Sequence, residues 1–199
     1  VQGFGNVGSF AARLFVEAGW RVFGVSDVRG GVWNDRGLDV GALLRHVSGT
    51  GTVLGFPGGE PISNEDLLLR EVDVLVPAAI ENVVSEANAD SIRARLVVEA
   101  ANHPLTYEAD ARLEARGLPI VPDILANAGG VTCSYFEWVQ NLQQLSWSET
   151  EVNDRLGEHL TAAYRGVRDR ARAESTSLRT AAYMIAIERV WKAIRLRGI

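Results

Sequence analysis

Six residues at the start of the chain have the types and spacing of a nucleotide-binding turn. They are Gly3-Phe4-Gly5-Asn6-Val7-Gly8, a G-x-G-x-x-G pattern that opens an apolar helical stretch. In such a turn the first glycine permits a tight strand-to-helix connection and the second lets backbone N–H groups approach a pyrophosphate. The third glycine lets the helix lie close to the sheet. The pattern predicts a site for NAD or NADP.

An acidic residue follows this turn at the spacing that a dinucleotide site requires. Asp27 stands 19 residues after Gly8, at the end of a second apolar run. A carboxylate at this place accepts hydrogen bonds from the adenosine ribose hydroxyls, which favours NAD. Arg29 is close enough in sequence to balance a 2′-phosphate, so NADP stays open. A turn cap is the alternative role for Asp27.

The elements around these residues follow an alternating order. Apolar runs predict strands at 21–26, 72–76, 96–99 and 119–121, a Gly-rich stretch at 30–37 predicts a hairpin, and helical spacing predicts helices at 6–18, 38–47, 83–92 and 106–116. Alternation of strands and helices implies right-handed crossovers between parallel strands. The predicted fold class is therefore α/β, a doubly wound, mostly parallel Rossmann sheet.

The last third of the chain is predicted to be helical. Strands stop near Asn127, and Ser148 to Glu151 form a capping box ahead of a helix that runs to about residue 174. A final helix is predicted at 178–196. We expect a Rossmann domain at 1–130, with its first strand truncated, and a segment at 131–199 whose helices pack on it.

Composition excludes several classes of protein. The net charge is −5 and no region concentrates Lys and Arg, which argues against a nucleic-acid surface. Cys133 is the single cysteine, so no internal disulfide is expected, and no Cys/His pair has metal-site spacing. No apolar run reaches the roughly 18 residues of a membrane span. These features predict a cytoplasmic protein with no metal and no membrane partner.

Three further segments stand at predicted carboxyl ends of strands, where open α/β sheets bind ligands. They are Pro77-Ala78-Ala79, Glu99-Ala100-Ala101-Asn102 and the run from Pro122 to Val131. The small side chains of Ala78 and Ala79 leave room for a flat ring. Asn102 and Asn127 carry amides that can donate to and accept from ribose or carboxamide groups. Each asparagine taken alone also suits an ordinary loop.

These segments, with the stretch at 134–141, resemble the glutamate, leucine, phenylalanine and valine dehydrogenase family in the same order. The resemblance runs from Val1 to about Gly198, and the run from Pro122 to Val131 is its most specific part. It implies the NAD(P)-dependent oxidative deamination of an amino acid. In the glutamate-specific members this reaction yields 2-oxoglutarate and ammonia.

The resemblance also implies roles for individual residues. Asn102 matches the family's asparagine near the nicotinamide ribose, and Asn127 matches the one near the nicotinamide and substrate. Val131 and Ser134 match positions that line the pocket for the substrate side chain, where a serine hydroxyl binds the γ-carboxylate of glutamate. Leucine- and phenylalanine-type members carry an apolar residue at the serine position, so Ser134 favours glutamate. A helical serine can also bond back to its own backbone.

Catalytic residues are not expected in this chain. Family members place their catalytic lysines and an aspartate in an amino-terminal substrate domain, whereas the single lysine here, Lys192, lies on the last predicted helix. The chain should therefore bind coenzyme without turnover, and its last helices should reach that missing domain. The resemblance further implies a hexamer for the full-length protein. A leucine- or phenylalanine-type enzyme and a non-catalytic NAD(H)-binding module remain the alternatives.

Overall fold

A computed structural model of the chain describes residues 1–198. It contains two compact units, Val1–Pro119 and a second that begins at Ile120. These units are defined by packing. The boundary expected at residue 130 divides the chain by function, and it stays a prediction.

The first unit has five strands and four α-helices. The strands are β1 (Gly24–Asp27), β2 (Gly30–Trp33), β3 (Glu60–Ile62), β4 (Val74–Leu75) and β5 (Leu96–Val98). The helices are α1 (Asn6–Glu17), α2 (Val40–Thr50), α3 (Asn64–Leu68) and α4 (Tyr107–Ala115). The α/β class predicted from the sequence is confirmed.

One residue joins two groups of strands into a continuous arrangement. Gln2 forms parallel bridges with Ser26 on one side and Pro77 on the other. Strand β4 pairs in parallel with β5, while β2 pairs antiparallel with both β1 and β3. The spatial order is therefore β3, β2, β1, Gln2, β4 and β5. The centre of this order is parallel, as the doubly wound fold requires, and the β2–β3 side is an antiparallel extension.

Strand β3 was not predicted from the sequence, and its composition explains why. Its three residues include Pro61, which has no N–H to contribute to a ladder. Proline is tolerated in a sheet at an edge strand, and β3 is the last strand on its side. A strand this short and containing proline has no apolar alternation to detect.

The helix predicted at 83–92 is wrong. Only a single 3-10 turn forms there, at Ala89–Ser91. The backbone before it bonds instead to side chains, since Asn88 accepts from the Ser85 N–H at 2.9 Å and donates to the Val83 carbonyl at 3.0 Å. Local bonds of this kind compete with helical ones, so the chain turns where a helix would have begun.

An apolar cluster supports the strands and helices around the opening turn. Its most buried members come from the turn, α1, β1, β2 and α2, and they include Phe4, Ala12, Val25, Val32 and Leu43. Strand β1 also packs tightly, because a Cβ at Gly24 would lie 2.6 Å from the Trp33 ring. The cluster thus holds β1 against the opening turn and α1.

The second unit consists mainly of helices. It contains β6 (Ile120–Val121), α5 (Asp123–Ala126), α6 (Gly129–Gln143), α7 (Glu149–Glu174) and α8 (Leu178–Arg197). The predicted capping box is confirmed, since Ser148 accepts from the Glu151 N–H at 3.2 Å and the Glu151 carboxylate accepts from the Ser148 N–H at 2.8 Å. The buried residues Leu125, Val167, Ala171, Ala181 and Ala182 form its core.

No helix within residues 1–198 combines the length and the apolar character that crossing a membrane demands.

Candidate functional site

The opening turn has a backbone conformation that requires glycine at its first position. Gly3 has φ +95°, a region that L side chains rarely adopt. A Cβ there would also lie 2.8 Å from the Ala79 Cβ and 2.9 Å from the Ala78 carbonyl oxygen. The Gly3 N–H faces the Ser26 hydroxyl at 3.4 Å. Ala78 and Ala79 therefore lie directly against the turn.

Gly8 is required for a different reason, which is the close approach of α1 to the backbone of the turn. A Cβ on Gly8 would overlap the carbonyl oxygen of Gly3 and would lie 3.3 Å from a Val1 methyl group. The first turn of α1 thus rests directly on the backbone that precedes it. No side chain, however small, fits between them.

Gly5 shows the opposite environment. Apart from Gly5 itself and its two neighbours in the chain, no atom of the described residues lies within 4 Å of the position that its Cβ would take. Gly5 is exposed, has φ −79°, and is the N-cap of α1. Neither its conformation nor its protein neighbours call for glycine. A residue without a side chain at this point leaves space for something outside the chain.

The helix that begins at Gly5 presents backbone donors to that space. The first N–H groups of any α-helix lack intrahelical partners. In the part of the chain that the structure describes, no side chain caps the start of α1. An uncapped helix start with positive dipole character is suited to an anionic group such as a phosphate.

Asp27 lies at the carboxyl end of β1, and its carboxylate holds two loops together. Oδ2 accepts from the Thr52 hydroxyl and from the Val53 N–H, both at 2.7 Å, and Oδ1 accepts from the Arg29 N–H at 2.7 Å. Partial burial opposes the charged form, but these hydrogen bonds, with one from the Gly30 N–H, outweigh it and hold the pKa of Asp27 below its usual value. The carboxylate thus stays ionised at neutral pH.

The bonds of Asp27 correspond to the turn-cap role that the sequence left open. A carboxylate has about four lone-pair sites, and the internal donors use most of them. The contact with an adenosine ribose stays a prediction. Sequence reasoning missed Thr52 and Val53 as partners of Asp27, since they lie 25 and 26 positions away and no motif connects them.

We expect replacement of Asp27 by alanine to lower the free energy of unfolding by about 2–4 kcal/mol at pH 7, because several partly buried donors lose their acceptor. The folded pKa of Asp27 is depressed, so this contribution is complete above the carboxyl's ordinary pKa of about 4 and is lost as pH falls through the folded pKa. Urea unfolding of both proteins from pH 7 to pH 2 measures it.

A matched control for this change is Asp73→Ala. The Asp73 carboxylate is 70% exposed and pairs with Arg95 at 3.3 Å on the surface, so its loss should cost less than about 1 kcal/mol. Equal losses for the two variants, or a difference that does not shrink at low pH, would contradict the role assigned to Asp27.

Two loops at the carboxyl ends of β4 and β5 lie side by side near the turn. Ala78 donates to the Gln2 carbonyl at 2.7 Å, which ties the first loop to the turn. The N–H groups of Ala100 and Ala101 both donate to the Pro77 carbonyl, at 3.0 and 2.9 Å. Asn102 follows immediately and is exposed. The first unit therefore brings together the glycine turn, Ala78, Ala79 and Asn102.

The remaining predicted residues belong to the second unit. Asn127 is the C-cap of α5, and its N–H donates to the Asp123 carbonyl at 3.0 Å. Val131 is 70% exposed in the first turn of α6. The Ser134 hydroxyl donates to the Gly130 carbonyl at 3.2 Å, which is the backbone bond that the sequence left open. Contacts of these residues with substrate stay predictions.

No cluster of three or more His, Cys, Asp or Glu side chains within residues 1–198 could hold a metal ion. The open space at Gly5 and the uncapped start of α1 suit the binding of an anionic group.

Comparisons with known proteins agree on the family. The family model for Glutamate/Leucine/Phenylalanine/Valine dehydrogenase matches residues 1–198. The chain is 51% identical over 200 residues to a glutamate dehydrogenase of Thermotoga maritima, and the match covers 100% of this chain and 48% of that protein. The chain thus spans about half the length of this relative.

Solved structures of similar proteins show the same fold. A hetero-hexameric glutamate dehydrogenase from Thermus thermophilus, in its Leu-bound form, matches with a TM-score of 0.93 at 37% identity, over 100% of this chain and 47% of that one. Glutamate dehydrogenase from Peptoniphilus asaccharolyticus matches with a TM-score of 0.83 at 37% identity, over 99% of this chain and 46% of that one.

Proposed function

The chain belongs to the glutamate, leucine, phenylalanine and valine dehydrogenase family, and on that premise we propose that it is the coenzyme-binding part of a glutamate dehydrogenase. The whole protein would convert L-glutamate to 2-oxoglutarate and ammonia. Bound NAD or NADP would supply the hydride acceptor for the Cα–H of the substrate. The observation that carries the proposal is the open space at Gly5, before an uncapped helix start.

The residues of the first unit suit the parts of a dinucleotide. The backbone from Gly3 to Gly8 would hold the pyrophosphate, and Ala78 and Ala79 would leave room beside it for a ring. Asn102 would bind the nicotinamide ribose. Because Asp27 keeps its negative charge and faces the same edge of the sheet, a 2′-phosphate would be repelled there. We therefore propose NAD as the preferred coenzyme.

Three residues of the second unit would bind the nicotinamide and the substrate. Asn127 would contact the nicotinamide and the substrate, and Val131 and Ser134 would line the pocket for the substrate side chain. The catalytic lysines would come from outside this chain, whose single lysine is Lys192 on α8. We propose a hexamer for the whole protein and a cytoplasmic location.

Isothermal titration of the chain with NAD and with NADP tests the proposal. We expect saturable binding of one equivalent of NAD, weaker binding of NADP, and no measurable turnover of glutamate. ADP should compete with NAD, since it contains the pyrophosphate and adenosine that the turn and Asp27 would hold. Failure of both coenzymes to bind would overturn the assignment.

In the whole protein, Ser134→Val is expected to lower kcat/KM for glutamate by about 100-fold, because a hydrogen bond to a charged group contributes about 1.5–3 kcal/mol. The measurement is steady-state kinetics with glutamate and with leucine as substrates. Turnover of leucine should not fall with it, because leucine has no γ-carboxylate.

Thr132→Val is the matched control for that variant. The Thr132 hydroxyl also donates back along α6, to the Ala128 carbonyl at 2.8 Å. Loss of such a backbone bond alone should leave glutamate kinetics within about twofold. Equal effects of the two variants would show that Ser134 acts through the helix, and would favour a leucine- or phenylalanine-type enzyme.

A further inference from the structure

Two residues beside Asn102 have a backbone conformation that their side chains disfavour. Asn82 has φ +55° and His103 has φ +47°, and neither is glycine. Asparagine and histidine adopt this left-handed region more often than most residues, but it remains uncommon. His103 also precedes Pro104, and a residue before proline is normally driven to extended conformations. The conformation of His103 is therefore disfavoured for two independent reasons.

A backbone hydrogen bond joins these two residues. The Asn82 N–H donates to the His103 carbonyl at 2.9 Å, so the two left-handed residues face one another across the loops that follow β4 and β5. Uncommon backbone conformations persist only where the surrounding structure holds them, and they concentrate at functional sites.

The residues that follow this pair in each loop hold it in place. The Val84 N–H donates to the Pro104 carbonyl at 3.0 Å, and the Thr106 N–H donates to the Val84 carbonyl at 2.9 Å. Val84 and Leu105 form a parallel bridge and are 0% and 2% exposed. The buried bridge thus forms a rigid base, and the exposed pair stands at its end.

Asn102 lies between two anchor points of this arrangement. On one side Ala101 donates to the Pro77 carbonyl, and on the other side the His103 carbonyl accepts from Asn82. A single exposed residue held at both neighbours has little freedom to move. The direction of its Cα–Cβ bond is set by the backbone at 101 and at 103.

We propose that Asn82 and His103 are positioning residues, which act through their left-handed backbone to aim the Asn102 amide at the nicotinamide ribose of the coenzyme. This inference rests on the proposed function. It assigns no contact with the ligand to the imidazole of His103. The role belongs to the backbone, so glycine should replace either residue, whereas a β-branched residue should not.

The test compares His103→Gly with His103→Val in titrations of the chain with NAD and with ADP. ADP lacks the nicotinamide ribose, so its affinity reports the glycine turn and Asp27 without Asn102, and it shows that each variant is folded. We expect His103→Val to weaken NAD binding about tenfold, with ADP binding unchanged. His103→Gly should bind NAD within about threefold of wild type.

Asn82→Val and Asn82→Gly form a second pair with the same expected results. They replace the His103 pair as the test if His103→Val fails to bind ADP and is therefore not folded. Equal NAD affinity of the valine variants and wild type would overturn the inference. Equal loss in the valine and glycine variants would also overturn it, because that result indicates a side-chain contact. Absence of NAD and NADP binding by the wild type would overturn the proposed function, and this inference with it.

Discussion

Replacement of Gly8 by alanine is expected to lower the free energy of unfolding of the first unit by about 3 kcal/mol or more. The added Cβ would overlap the carbonyl oxygen of Gly3. That oxygen belongs to backbone held by the turn, so no flexible side chain can move aside. Alanine is a better helix former than glycine by about 1 kcal/mol. Overlap with a fixed backbone atom is the severe kind of overpacking, whose cost exceeds the usual range of about 1–3 kcal/mol and outweighs that gain.

Urea unfolding followed by circular dichroism measures this effect, and Gly49→Ala is its control. Gly49 lies exposed in α2, and no described atom outside its own stretch of helix comes within 4 Å of the position that a Cβ would take. Alanine there should leave stability unchanged or raise it by up to about 1 kcal/mol. A Gly8→Ala protein as stable as Gly49→Ala would refute the close approach of α1 to the turn.

Replacement of Gly5 by alanine is expected to weaken NAD binding by about 100-fold while the fold survives. The Cβ would enter open space in the free protein, so packing is not disturbed. As an N-cap, alanine costs only about 0.5–1 kcal/mol relative to glycine. A pyrophosphate lying against the backbone at Gly5 would meet the new methyl group, and a 100-fold loss corresponds to about 2.8 kcal/mol.

The two alanine variants together separate binding from stability. Titration calorimetry with NAD and with ADP, beside urea unfolding, gives both quantities for each protein. The expected result for Gly5→Ala is near-normal stability with loss of both ligands. Wild-type affinity for NAD in Gly5→Ala would show that the phosphates lie elsewhere, and the proposed function would lose its main support.

Features governed by neighbours in sequence were predictable. The start of α1 follows from the glycine turn, and the start of α7 follows from the capping box at Ser148. In both cases the deciding interactions lie within five or six residues, so residue types and spacing contain the information. The alternation of strands and helices predicted the fold class for the same reason.

Features that depend on distant partners were not predictable. The bonds from Thr52 and Val53 to Asp27 cross more than twenty positions, and only the folded sheet brings these groups together. The helix predicted at 83–92 failed for a different reason. Local hydrogen bonds of the Asn88 side chain outweighed the apolar pattern there. The left-handed backbone of Asn82 and His103 has no counterpart in composition or periodicity.

The position of Gln2 links ligand binding to the cohesion of the whole sheet. Its N–H donates to the Val76 carbonyl at 2.9 Å and its carbonyl accepts from Ala78 at 2.7 Å, while the Ser26 N–H donates to Val1 at 3.3 Å. The same backbone leads directly into the turn at Gly3. A ligand that immobilises the turn would therefore suppress fraying of the strands on both flanks, and the free energy of unfolding would rise with ligand concentration.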